Sequence, residues 1–153
     1  DIAKHSMAKK DVRFYLKYIY VNENHIVATN GHVITCYDNN DNYKPGFYDK
    51  NMILVEDQSY ARFPNYERAI VTTDLIPFDI NSLELMHQST GDVYHAPTLD
   101  TASKSQGYKK EYIDIIKAFI KHNDNGIFEA SALNGSLKYT KDDLIYIVMP
   151  MRL

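Results

Sequence analysis

Few side chains in this sequence stand where covalent or metal chemistry could use them. The six histidines are scattered without the paired spacing of a metal site. The single cysteine, Cys36, can build neither a zinc cluster nor an internal disulfide, which fits a reducing cytoplasm. His32 follows Gly31 directly, yet no nucleophile or carboxylate is indicated as its partner. Asp41, Asp142 and Asp143 fall in turn-rich stretches, where acidic residues are common. No glycine-rich phosphate loop is present. A small enzyme such as a nuclease is therefore the minority reading, and neither a metal nor a cofactor is expected.

What remains is the chemistry of binding. The clearest helix covers residues 109–122, with Tyr112, Ile113, Ile116, Phe119 and Ile120 in an apolar stripe. Lys110, Asp114, Lys117 and Lys121 line up on another face. Such a face, softened by Glu111 and Asp114, is more often ordinary solvated surface than a contact for phosphates. Net charge is -3, so any contact with nucleic acid has to come from a local patch of this kind.

The elements that would position these residues are mostly strands. Thirteen tyrosines and no tryptophan suit strands whose rings lie on a core with their hydroxyls in water. Residues 2–10 read as the last turns of a helix, and the aromatic and β-branched run 12–21 reads as a strand. Residues 25–29 and 33–37 follow as strands around Asn30-Gly31, a pair that tolerates positive φ. Residues 38–45 read as a loop, 47–56 as one or two further strands, and 74–80 as a short strand broken by Pro77. Pro64 keeps residues 58–70 extended or turning. Residues 98–107 look like a flexible connection. After the 109–122 helix come strands at 127–131, 136–140 and 144–149. Pro150 should halt that last ladder and leave residues 151–153 outside the sheet.

With 153 residues the chain suits one compact domain. No apolar run approaches the ~18 residues needed to cross a bilayer, and no signal peptide is visible. The first residue is Asp1 rather than Met, so the natural start is expected to lie further upstream.

Three segments resemble the bacterial sliding clamp, the ring-forming processivity subunit of the replicative polymerase. Asp11-Val12-Arg13-Phe14-Tyr15-Leu16 followed by Val27-Ala28-Thr29-Asn30-Gly31-His32 is similar to a clamp strand and the A-T-D-G-H-R-L run after it. Arg62-Phe63-Pro64-Asn65-Tyr66-Glu67-Arg68 is similar to R-F-P-D-Y-x-R. Tyr146-Ile147-Val148-Met149-Pro150-Met151-Arg152-Leu153 resembles the clamp ending Y-V-V-M-P-M-R-L. There are departures: Asn30 replaces an aspartate, Val33 and Ile34 stand where clamps have Arg and Leu, and residues 71–107 match nothing in the family.

The resemblance implies an α+β fold: a single DNA-clamp-like domain over 1–153, with two helices packed on antiparallel sheet. Its βαβββ-type halves would cover about 1–70 and 108–153, joined by 71–107, the first half lacking its beginning. A clamp subunit has three such domains, so a chain of this size suggests a reduced relative of the kind phages and prophages carry. The resemblance also implies a shallow groove for short peptides of replication and repair proteins. Thr29, Gly31, His32 and Ile34 would form one wall, Pro64 and Arg68 would extend it, and Val148, Met149, Pro150, Met151, Arg152 and Leu153 would form the other. Methionines are flexible and polarizable, which suits a surface that accepts several ligands. Clamp helices line the ring and face DNA phosphates without reading bases, a role that would fall to Lys9, Lys10, Lys110, Lys117 and Lys121. Two readings follow: a cytoplasmic processivity clamp that self-associates into a ring on duplex DNA, or a monomeric adaptor or decoy that modulates the replisome without encircling DNA.

Overall fold

In the computed structural model, the described residues are 2–7, 17–55, 63, 65–70, 74–97, 106–122 and 126–152. The chain divides into two compact units, one of Asp1–Ile70 with Asp143–Tyr146 and one of Val71–Asp142 with Ile147–Leu153. Its class is α+β, with antiparallel strand pairing in both units.

The first unit holds α1 (Ile2–His5) and strands β1 (Ile19–Val21), β2 (His25–Thr29), β3 (Val33–Asp38) and β4 (Gly46–Tyr48), in the order β4-β1-β2-β3. Asparagines make its turns. Asn22 Oδ1 accepts from the amides of Asn24 and His25 at 2.9 and 2.7 Å, closing β1 onto β2. Asn39 Oδ1 accepts from Tyr43 N–H, while its amide donates to the carbonyls of Asn22 and Tyr43. A side chain that caps its own turn in this way competes well with regular structure and stops a strand.

Both faces of this sheet are covered, because successive residues alternate across it. Ile19, Val21, Ile26 and Ala28 meet Ala3 and Tyr48 on one face, all buried. On that face Ser6 and Thr35 share a buried hydroxyl–hydroxyl hydrogen bond of 2.6 Å. Tyr20, next to Ile19 in sequence, stacks on Phe63 with centroids 4.6 Å apart, and Phe63 meets Tyr66 edge-on.

Two expected elements differ here. Within residues 12–21 only Ile19–Val21 is strand; Lys17 is helical, and 12–16 lie outside the described residues. Within 47–56 the strand ends at Tyr48, because Asp49 Oδ1 accepts from the amides of Asn51 and Ile53 and turns the chain. Met52 takes a positive φ of 59°, and Leu54 returns only as a single bridge to Tyr48.

The second unit holds β5 (Leu75–Pro77), β6 (Glu84–Gln88), β7 (Gly91–His95), β8 (Gln106–Lys109), α2 (Lys110–His122), β9 (Ile127–Ser131) and β10 (Leu137–Lys141). The strand β11 (Leu144–Val148) enters it at Ile147, and β12 (Met151–Arg152) follows. One run of neighbours is β10-β9-β5 and another is β12-β8-β7-β6. α2 buries Tyr112, Ile113 and Ile116 and packs against β7 and β8, and Phe119 meets Tyr139 of β10 edge-on at 5.2 Å. Tyr108, wholly buried, donates to the carbonyl of Gly135 at 2.5 Å.

The strands on either side of α2 also alter earlier expectations. Residues 106 and 107 of the expected flexible connection are strand β8, while 98–105 lie outside the described residues. The unmatched stretch 71–107 carries β5, a 3-10 turn at Ile80–Ser82 and the β6–β7 hairpin. Met151 and Arg152 are not outside the sheet: they pair with Gly107 and Gln106 of β8. Pro150 ends β11, and the chain then changes neighbours rather than leaving sheet structure.

Candidate docking segments and the lysine face

The first docking segment is the turn between β2 and β3. Gly31 sits there at φ 90°, a conformation that side chains resist. Asn30 Oδ1 accepts from the amides of His32 and Val33 at 2.9 and 3.1 Å. Thr29 Oγ1 donates to the Val33 carbonyl at 2.7 Å and accepts from Gly31 N–H at 3.2 Å. The turn is thus stapled from both ends, with Gly31 and His32 presented to solvent. Ile34, paired with Thr29, is only 5% exposed and lies in the core beneath that turn, so it offers little surface to a ligand.

Arg68 ends the 3-10 turn Tyr66–Arg68 and is exposed. Tyr66 holds this turn to the first unit: Asn22 Nδ2 donates to its hydroxyl at 2.9 Å, and His25 Nδ1 lies 2.8 Å from the same oxygen. Sequence reasoning missed this anchor, although Tyr66 stands inside the quoted motif. Pro64 lies outside the described residues.

The last docking segment belongs to the second unit. Val148 is 1% exposed, a core residue rather than a wall. Met149, Pro150 and Met151 are half-buried, and the Ser136 hydroxyl donates to Met149 Sδ at 3.6 Å. Arg152 is placed only through its pairing with Gln106, and Leu153 lies outside the described residues.

The three lysines of α2 differ from one another. Lys110 pairs with Asp114 at 2.5 Å, one helical turn on, and the hydrogen bond and charge of Asp114 push its ammonium above the ordinary value. Lys117 lies 4.3 Å from the centroid of the Tyr94 ring and donates to its hydroxyl at 3.2 Å. That hydroxyl also reaches Asp114 at 3.4 Å, joining Lys110, Asp114, Tyr94 and Lys117 in one network. Lys121 is exposed. Lys9 and Lys10 lie outside the described residues. Tyr94 was not singled out from the sequence, where nothing marks it apart from twelve other tyrosines.

Among the described residues no group of three or more His, Cys, Asp or Glu side chains could hold a metal ion. No helix among them is long and apolar enough to cross a membrane.

No protein-family model matches the chain, and no curated protein does. Solved structures do. The DNA polymerase III subunit beta of Pseudomonas aeruginosa matches over 98% of this chain and 62% of its own, with TM-score 0.63 and 18% identity. The sliding clamp of Bartonella birtlesii, solved bound to griselimycin, matches over 99% and 62%, with TM-score 0.63 and 14% identity. The pol III beta of Caulobacter crescentus matches over 99% and 62%, with TM-score 0.62 and 12% identity. The chain has the sliding-clamp fold and spans 62% of the length of these clamps.

Proposed function

We propose that this chain is a clamp-type DNA-replication protein, cytoplasmic and not an enzyme, that docks short peptides of replication and repair proteins. One observation carries the reading: the likeness in fold to DNA polymerase III beta subunits over 98% of the chain. The docking surface is assigned within each unit separately, to Gly31, His32 and Arg68 in the first and to the half-buried Met149, Pro150 and Met151 in the second. Thr29, Ile34 and Val148 support it from within, and Pro64, Arg152 and Leu153 belong to the same assignment. The chemistry suits the task. Exposed polar groups in the one segment orient a peptide, and flexible thioethers in the other accept apolar anchors without demanding one shape. A peptide with Leu and Phe anchors should bind with micromolar affinity, about -8 kcal/mol. Calorimetry that finds no binding to the intact chain would remove the assignment.

In this reading the protein self-associates into a ring and holds duplex DNA without reading its sequence, through the lysine face of α2. A monomeric adaptor that modulates the replisome without encircling DNA is the second reading. It is favoured by the engagement of Lys110 with Asp114 and of Lys117 with Tyr94, which leaves that face less available to phosphates. Titration of a labelled duplex at two salt concentrations separates them. Phosphate contacts release counterions, so a clamp should bind at low salt and lose affinity steeply as salt rises. The adaptor should bind at neither concentration.

A further inference from the structure

The first unit contains a cleft that the docking reading does not use. Its volume is about 370 Å³, and it opens between β2, β3, the loop after β3 and the start of β11. Tyr37 and Tyr43 line it together with the carboxylates of Asp41 and Asp143, over a floor that includes Ile26 and Met52. The residues lining it include no lysine, arginine or histidine. Among the described residues neither carboxylate is in an ion pair. Asp143 Oδ2 accepts from Asp38 N–H at 3.1 Å and from Asn40 Nδ2 at 3.3 Å, contacts that fix the carboxylate in place without neutralising it.

We infer that this cleft is a binding site for an alkylammonium group, supplied by a lysine side chain of another protein or by a free amine. Each wall matches one part of such a ligand. The two carboxylates supply countercharge, tyrosine ring faces attract a cation through their quadrupole, and the apolar floor accepts the methylene stem. A metal ion does not fit: the cleft offers only two carboxylates and lacks a third His, Cys, Asp or Glu ligand. Burial, then the charges of Tyr43, Asp143 and Asp41, push the Tyr37 hydroxyl above its ordinary value. The site is independent of the clamp reading, since none of its residues is assigned to docking or to DNA.

The five methionines provide the readout, because Met52 lies in the cleft while Met86, Met149 and Met151 belong to the second unit. With methyl-labelled methionine, n-butylammonium chloride should move the Met52 resonance saturably and leave Met86 and Met149 in place. The neutral isostere n-butanol should not move it. Asp41→Asn and Asp143→Asn should each weaken binding about tenfold, the loss of one close countercharge. Asparagine at 143 retains an acceptor for Asp38 N–H, and Asp41 is exposed, so both variants should fold, as circular dichroism will show. A tri-lysine peptide that binds tighter than butylammonium identifies a protein lysine as the source; equal affinity identifies a free amine. The absence of a saturable Met52 shift, equal binding of n-butanol, or unchanged affinity in both variants would overturn the assignment. Binding of the Leu- and Phe-anchored peptide should be unaffected by Asp41→Asn, so failure here leaves the docking reading separately testable.

Discussion

Tyr66 joins the aromatic face of the first unit to the turn that carries Arg68, through its ring and its hydroxyl together. Its ring meets Tyr20, Phe63 and His25, and its hydroxyl serves both Asn22 and His25. Tyr66→Phe keeps the packing but strands two part-buried polar groups, and should cost about 1–2 kcal/mol in urea unfolding. A neutral result would mean that water replaces the hydroxyl. Cys36 offers a pH test. Burial first, then the charges of Asp38, Glu67 and Asp143, push its thiol from 9.0 up to about 12. Below pH 9 the thiol is protonated in both folded and unfolded chains, and its contribution to stability is fully present. Between 9 and 12 the unfolded thiol ionises first, so stability falls as pH rises. Unfolding midpoints across this window should fall less steeply in Cys36→Ala than in the parent. At this scale the turn at Gly31 was readable because its chemistry is local. Ile34 was not: Val33, Ile34, Thr35 and Cys36 are all buried, so no alternation marks which face is which.

The helix α2 and the strands β9, β10 and β11 were legible because each carries its own period and is bounded by turn residues. The β6–β7 hairpin was not. Every residue of β6, from Glu84 to Gln88, is exposed, so the strand has no buried face to impose alternation on its sequence. The short β12 was misread for another reason. Pro150 does end a ladder, but a new neighbour, β8, lies remote in sequence and leaves no local trace. Within α2 the lysines should separate by experiment. Lys117→Ala removes the contact with Tyr94 and should cost about 1 kcal/mol of stability. Lys121→Glu should change stability by less than about 0.5 kcal/mol, the range of ordinary surface substitutions. If the lysine face meets DNA, Lys121→Glu should nevertheless weaken duplex binding at low salt. Thermal unfolding and duplex titration of both variants check this.

For the whole chain, the likeness to clamps was readable at three separated segments, while no family model matches. Short motifs survive where a turn or a strand end constrains them; the strands between are constrained only to be apolar, and sequence identity to the solved clamps is 12–19%. A ring requires self-association, so light scattering should find an oligomer if the clamp reading holds and a monomer if the adaptor reading does. We propose that this clamp-fold chain docks replication peptides on segments that include His32 in the first unit and Met151 in the second. Calorimetric titration with a Leu- and Phe-anchored peptide tests it most directly, using the intact chain and the variants His32→Ala and Met151→Ala. Met151→Ala keeps the backbone of β12 paired with β8, which removal of residues 151–153 would not. Micromolar binding to the intact chain, weakened about tenfold in each folded variant, is the result predicted. Absence of binding to the intact chain, or equal affinity in all three proteins, would contradict it.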